Sequence, residues 1–80
     1  MPYTLHRLAS GSYDLLLDGD VIGGVVRETS CDRVTGWRAE LLEDLPRVRR
    51  PKPFKQIEHR FETFKDVVSW LGGAETAHND

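Results

Sequence analysis

Cysteine is nearly absent from this sequence, and long apolar runs are missing altogether. The single Cys31 has no second cysteine with which to form a disulfide within the chain, so nothing indicates an oxidising compartment. No segment approaches the roughly 20 apolar residues of a membrane-spanning helix, and residues 1–7 lack the apolar stretch of a signal peptide. We therefore expect a cytoplasmic protein that is neither embedded in a membrane nor exported.

The length limits the number of domains. A chain of 80 residues forms one small domain, which excludes a second, catalytic one. A chain of this size buries only about 60% of its extended surface, so the core is thin and leaves little room for a deep pocket. We expect a single folded domain over residues 1–71 and a flexible C-terminal tail over residues 72–80, where no apolar pattern remains.

The net charge of −2 conceals an uneven distribution along the chain. Residues 1–46 carry four basic and eight acidic side chains, residues 47–60 carry six and one, and residues 61–80 carry one and four. A segment with a net charge of +5 thus lies between two acidic flanks. Such a concentration keeps nucleic-acid binding open for a protein that is acidic overall.

The dipeptide Asp18-Gly19 is the clearest local signal, because both residues tolerate the positive φ angles of a type I′ hairpin turn. It predicts a hairpin of residues 13–17 and 21–29. The predicted cross-strand pairs are Leu17 with Asp20, Leu16 with Val21 and Leu15 with Ile22. Gly23-Gly24 then falls inside the second strand, where glycine marks a bulge or the close approach of another backbone.

Three further strands follow from composition and alternation. Residues 3–9 read as a strand that ends in a turn at residues 10–12, and residues 37–41 alternate apolar with charged side chains. Residues 57–61 alternate in the same way and predict a short strand. Residues 30–36 are polar and predict a loop, and the prolines between residues 43 and 56 favour an extended, polyproline-like course.

The C-terminal part of the domain predicts a helix at about residues 64–71. Thr63 is a suitable N-cap, with Asp66 three residues further on. An apolar stripe at helical spacing consists of Phe64, Val67, Val68 and Leu71, with Trp70 at its margin. Gly72 predicts the C-terminal stop. Together with Trp37 and Leu41, the stripe forms the predicted core.

These elements predict a two-layer α+β domain, in which an antiparallel sheet of three to five strands packs against one C-terminal helix. The predicted hairpin places Leu15, Leu17, Ile22 and Val26 on one face and Leu16, Val21 and Val25 on the other. One short helix cannot cover both faces. Either the proline-rich loop or a second chain must cover the second face, and we hypothesise a homodimer.

The basic segment is the main candidate for a binding site. Its candidate contact residues for nucleic acid or a partner are Arg47, Arg49, Arg50, Lys52, Phe54 and Lys55. The cations fit a phosphate backbone, and the aromatic ring fits base contact. The alternative is a solvated loop whose charges pair with Glu43, Asp44 or Glu58 and keep the protein soluble.

Other groups of reactive side chains lack the spacing that chemistry requires. They are the acidic set Asp14, Asp18 and Asp20, the histidines His6, His59 and His78, and the pair Cys31 and Asp32. The acidic set lacks the glycine and later glutamate of a calcium loop, the histidines have no metal-ligand spacing, and the pair has no nucleophile signature. We expect no metal, no cofactor and no catalytic residue, and hence a non-enzymatic protein.

An aromatic strand start and a threonine-capped amphipathic helix combine over residues 37–71. The residues that carry this pattern are Trp37, Ala39, Leu41, Lys52, Phe54, Phe61, Thr63, Trp70 and Leu71. The pattern resembles the N-terminal arm-type DNA-binding domain of phage and transposon integrases. The resemblance implies a three-stranded sheet followed by one helix, with the sheet entering the major groove of DNA.

Two functions follow from the sequence, and a third, a small hydrolase or transferase, would require a concave pocket with a titratable pair of side chains. The first is a small non-catalytic interaction or accessory domain that binds another macromolecule through the open sheet face or the basic segment. The alternative is a nucleic-acid-binding module that uses residues 47–55. The sequence identifies neither the partner nor the biological process.

Overall fold

The computed structural model describes residues 3–43 and 46–77 and shows one six-stranded sheet with a single α-helix. The elements are β1 (Tyr3–Ala9), β2 (Ser12–Leu17), β3 (Asp20–Ser30), β4 (Arg33–Leu41), a 3₁₀ turn (Arg47–Arg49), β5 (Glu58–Phe61), α1 (Phe64–Trp70) and β6 (Glu75–Ala77). The strand order is β5-β4-β3-β2-β1-β6. Strands β1 to β5 are antiparallel, so the predicted α+β class is confirmed.

The β2–β3 hairpin turns at Asp18 and Gly19, whose φ angles of 53° and 88° confirm the predicted turn. The first two predicted pairs are also confirmed, but the third is wrong, because Leu15 lies opposite Gly23 and not Ile22. Ile22 is the extra residue of a β-bulge. The bulge shifts all later residues of β3 by one position, and it moves Val25 onto the face that carries Leu15.

Gly23 lies beside this bulge because β4 passes unusually close to it. A β-carbon at position 23 would overlap the backbone carbonyl oxygen of Glu40 on β4. The glycine pair therefore marks a close approach of two backbones, as the sequence indicated.

The predicted loop over residues 30–36 is wrong, because β3 and β4 form one long hairpin. Only Cys31 and Asp32 lie in its turn, with φ angles of 50° and 63°. Both residues adopt the left-handed conformation that a two-residue hairpin turn requires. The far part of this hairpin extends past the ends of β2 and β5, so no neighbouring strand pairs with it there. A polar composition is therefore compatible with strand structure in this segment.

The predicted tail over residues 72–80 also needs correction. Gly72 and Gly73 have φ angles of 82° and 85° and lead the chain from the helix back to the sheet. Residues 75–77 form β6, which pairs in parallel with β1, and Ala74 is buried in the core. Backbone pairing forms this short strand, so no apolar periodicity was needed to produce it. The domain extends to residue 77, and residues 78–80 lie outside the described residues.

The helix begins as the sequence predicts. The N–H of Asp66 donates to the hydroxyl oxygen of Thr63 at 3.1 Å, which satisfies one free amide of the first turn. Val67 and Leu71 are completely buried, and Phe64 and Val68 pack against the same core. The ring of Phe64 stacks on Tyr13 of β2 with centroids 4.8 Å apart.

The core lies between the helix and one face of the sheet. It consists of Tyr3, Leu5, Leu15, Val25, Ala39, Leu41, Phe54, Val67, Leu71 and Ala74. Because Phe54 belongs to this core, the proline-rich loop packs on the helix side and not across the second face.

We call the opposite face of the sheet the outer face. Register and alternation place on it Thr4, His6, Ser12, Asp14, Leu16, Val21, Gly24, Val26, Glu28, Gly36, Arg38, Glu40, Glu58 and Arg60. The outer face is thus mostly polar, with Leu16, Val21 and Val26 as its large apolar side chains. The predictions that Val25 belongs to this face and that Val26 belongs to the face with Leu15 are both wrong, because the bulge at Ile22 inverts the two positions.

Candidate functional site

The basic loop, residues 47–55, connects β4 to β5 along the helix side of the sheet. Its first part is a 3₁₀ turn in which the N–H of Arg49 donates to the carbonyl of Pro46 at 2.8 Å. The predicted polyproline-like course is therefore wrong for Arg47–Arg49. Proline fits at the start of such a turn because its fixed φ angle matches a helical one.

Phe54 is 5% exposed, so the prediction that its ring contacts a base is wrong. The ring packs edge-on against Trp70, with centroids 4.8 Å apart, and edge-on against His59 at 5.9 Å. Phe54 instead anchors the basic loop to the helix and to β5.

Three hydrogen bonds add to this anchor. The hydroxyl of Tyr3 donates to the carbonyl of Lys52 at 2.6 Å, and the guanidinium of Arg50 donates to the carbonyl of Lys55 at 2.8 Å. The N–H of Phe54 donates to the carbonyl of Pro51 at 2.9 Å. Burial raises the pKa of the Tyr3 phenol, which keeps this donor protonated. The loop backbone is therefore held in one conformation.

His59 on β5 fixes the end of the loop in a way that sequence reasoning missed. Its Nε2 atom accepts two backbone hydrogen bonds, from the N–H of Lys55 at 3.2 Å and from the N–H of Gln56 at 3.1 Å. The side chain also packs against Trp70, with ring centroids 4.8 Å apart. Desolvation lowers the pKa of His59, and the positive charge of Lys55 lowers it further. Only the neutral imidazole has the lone pair that accepts these bonds.

We expect the stability of the protein to fall on acidification in part through His59. Its pKa in the folded state lies below the unfolded value of about 6.5. The stabilisation is thus fully present above about pH 6.5 and is lost as the pH falls from there through the lower folded pKa. Urea unfolding at about pH 7.5 and about pH 5 measures this loss.

The matched comparison uses His59→Gln, which cannot gain a proton, and His6→Gln on the outer face. Carboxyl groups contribute to acid destabilisation in every variant. The decrease in the free energy of unfolding between the two pH values should therefore be smaller in His59→Gln than in wild type. In His6→Gln it should equal that of wild type. An equal drop in all three proteins would contradict the role of His59.

Three cations of the loop point into solvent. Arg49, Lys52 and Lys55 are exposed, and none of them forms an ion pair within the part of the chain that the structure describes. Glu58, one of the expected partners of the loop, pairs instead with Arg38 at 3.3 Å. The side chain of Arg47 and all of Asp44 lie outside what the structure describes. The loop therefore presents at least three uncompensated positive charges.

The remaining candidates do not converge on a site. Asp14 lies on the outer face, whereas the register places Asp20 opposite Leu17 on the other face. No group of three histidine, cysteine or carboxylate side chains within residues 3–43 and 46–77 is arranged to hold a metal ion. Cys31 is exposed in the β3–β4 turn, and His78 lies outside the described residues.

Comparisons with known proteins add no relative to this chain. No protein-family model, no curated protein and no solved structure matches it. Among the described residues, no helix has the length and apolar character needed to cross a membrane. The basic loop is therefore the candidate site on its own geometry.

Proposed function

We propose that this protein is a small, non-enzymatic, cytoplasmic interaction domain that binds an acidic surface of a partner protein through the basic loop. The observation that carries the proposal is the unpaired state of Arg49, Lys52 and Lys55 on a loop whose backbone is fixed. A preformed loop loses little conformational entropy on binding. Its positive charges also accelerate encounter with an acidic partner and select against a basic one.

Two observations favour a protein partner over nucleic acid. The ring of Phe54 is buried and does not offer a stacking surface for a base. The protein as a whole carries a net charge of −2, so a long duplex that extends beyond the loop meets the acidic remainder of the protein, whereas an acidic patch no larger than the loop does not.

Nucleic acid is the second candidate, and the density of free cations on the loop supports it. The resemblance to the integrase arm-type domain implies contact through the sheet. Among the side chains that the structure describes, however, the outer face carries four carboxylates and two arginines, and both arginines form ion pairs with carboxylates. A nucleic-acid contact is thus better supported at the loop than at the sheet.

A loop variant that lacks the three exposed cations tests both candidates. Arg49→Gln, Lys52→Gln and Lys55→Gln together should weaken binding of an acidic peptide of glutamates about tenfold or more, which is about 1.4 kcal/mol or more. Fluorescence anisotropy over a range of salt concentrations measures this change, and the salt dependence should become shallower.

The matched control removes three exposed cations elsewhere, with Arg7→Gln, Arg33→Gln and Lys65→Gln. It changes the net charge by the same amount and should bind the peptide almost as wild type does. Binding of duplex DNA at low salt, lost in the loop variant alone, would favour the second candidate. Failure to bind either probe at low salt, or equal weakening in both variants, would reject the loop as the binding site.

A further inference from the structure

Two neighbouring rows of side chains cross the outer face, and their properties are opposite. The acidic row consists of Asp14, Gly24, Glu40 and Glu58, which lie side by side on β2, β3, β4 and β5. The arginine row consists of Ser12, Val26, Arg38 and Arg60 on the same four strands. Each strand thus contributes one residue to each row, two positions apart.

The contrast between the rows recurs on each strand. On β4 and on β5 a carboxylate in one row stands next to an arginine in the other. On β3, Gly24 leaves a gap beside the branched side chain of Val26. On β2, the acceptor Asp14 stands next to the hydroxyl of Ser12. The two rows therefore complement each other in charge, in shape and in hydrogen bonding.

We propose that the outer face binds a second copy of this chain, related by a twofold axis that runs across the strands between the two rows. Such an axis lays the acidic row of each copy over the arginine row of the other. Arg38 then faces Glu40 of the second copy, and Val26 faces Gly24 of the second copy. An axis along the strands would instead place carboxylate over carboxylate, which like-charge repulsion disfavours.

The ends of β4 continue the same complementarity. Leu42, which follows β4, is 69% exposed and continues the alternation of β4 on the outer side. Gly36 lies on the opposite side of the axis from Leu42, at the same distance along β4. A cavity of about 210 Å³ lies against Gly36 and is lined also by Glu28, Trp37 and Arg60. The twofold axis places Leu42 of each copy over Gly36 of the other, beside this cavity.

The ion pairs within one chain do not oppose this arrangement. The side chain of Arg38 lies 3.8 Å from Glu40 and 3.3 Å from Glu58, and that of Arg60 lies 3.5 Å from Glu28. The Nε atom of Arg38, which makes both of its pairs, is buried, but each of these side chains as a whole is partly exposed and can contact a second copy while the pairs stay intact. The two sheets would pack face to face at the spacing of a sandwich, about 10 Å.

A charge-exchange experiment tests the symmetry directly. Arg38→Glu alone and Glu40→Arg alone each place like charges opposite one another in the dimer, so each should raise the dimer dissociation constant at least about tenfold. An equimolar mixture of the two variants restores both opposite-charge contacts and should form a heterodimer. Sedimentation velocity at protein concentrations up to about 1 mM measures all three samples and wild type.

Leu42→Arg gives a second test that leaves the ion pairs intact. It should also abolish the dimer, whereas Val48→Arg, at a 92% exposed position on the basic loop, should not. Circular dichroism checks that each variant is folded. If a charge variant does not fold, the result for Leu42→Arg alone tests the proposal. A wild-type monomer at the highest concentration, a dimer unaffected by Leu42→Arg, or a mixture of folded charge variants that stays monomeric would overturn the proposal.

Discussion

Replacing Gly23 with alanine should lower the unfolding free energy by about 3 kcal/mol, because the new methyl group has no space. The methyl would overlap the carbonyl oxygen of Glu40, which belongs to the backbone of the neighbouring strand. A flexible side chain can move away, but this carbonyl cannot move without separating β3 from β4. A domain of 80 residues has a total stability of about 4–12 kcal/mol, so the loss is a large part of the whole. Urea unfolding measures it.

The adjacent glycine provides the control. A β-carbon at Gly24 would lie 3.3 Å from the carbonyl oxygen of Tyr13, a tight contact that a small shift relieves. Gly24→Ala should therefore change stability by less than about 1 kcal/mol, since alanine also restricts the unfolded chain. Equal changes in the free energy of unfolding for the two substitutions would show that the backbone of β4 does not approach Gly23 closely.

The features that the sequence predicted correctly are set by neighbouring residues. Asp18-Gly19 forms its turn because both residues tolerate positive φ, and Thr63 caps the helix through an amide three residues away. The length and apolar stripe of the helix follow from the same local chemistry. Such features depend on short stretches of chain, so they can be predicted without knowledge of the fold.

The errors concern contacts between distant parts of the chain. The bulge at Ile22 lies in the pairing of β3 with β2, and its carbonyl accepts from the N–H of Leu42 just after β4, so no local signal placed it at that residue. Its effect was large, since it moved Val25 from the outer face to the core. The pairing of β6 with β1 joins the two ends of the domain, and a three-residue strand carries too little pattern to reveal this.

The same difference between local features and distant contacts explains why only part of the candidate site was predicted. The cations of the loop could be read from the sequence because charged side chains remain at the surface. The burial of Phe54 could not, since it depends on Trp70 of the helix and His59 of β5. An isolated aromatic residue among prolines and cations is therefore compatible both with a buried anchor of the loop and with an exposed binding residue.

The two proposed surfaces lie on opposite sides of the sheet and do not compete. In the proposed dimer the outer faces meet, and each copy presents its helix and its basic loop away from the interface. A partner with two acidic segments would then bind both loops, and the second contact would form at a high effective concentration. Dimerisation would thus strengthen a weak electrostatic contact without any new contact residue.

Leu71→Ala should cost about 2–4 kcal/mol of unfolding free energy, the usual range for a fully buried leucine. Leu71 is 0% exposed at the end of the helix, and its N–H donates to the carbonyl of Val67 at 3.0 Å. Truncation leaves a cavity between helix and sheet that close packing does not fill. Leu8→Ala, at a 58% exposed position, should change stability by no more than about 0.5 kcal/mol. In urea unfolding, a Leu71→Ala protein as stable as wild type would mean that the helix does not dock on this face. The hydrogen bonds that Tyr3 and His59 make to the loop backbone do not involve Leu71, so the folded variant should still bind the acidic peptide with an affinity close to that of wild type.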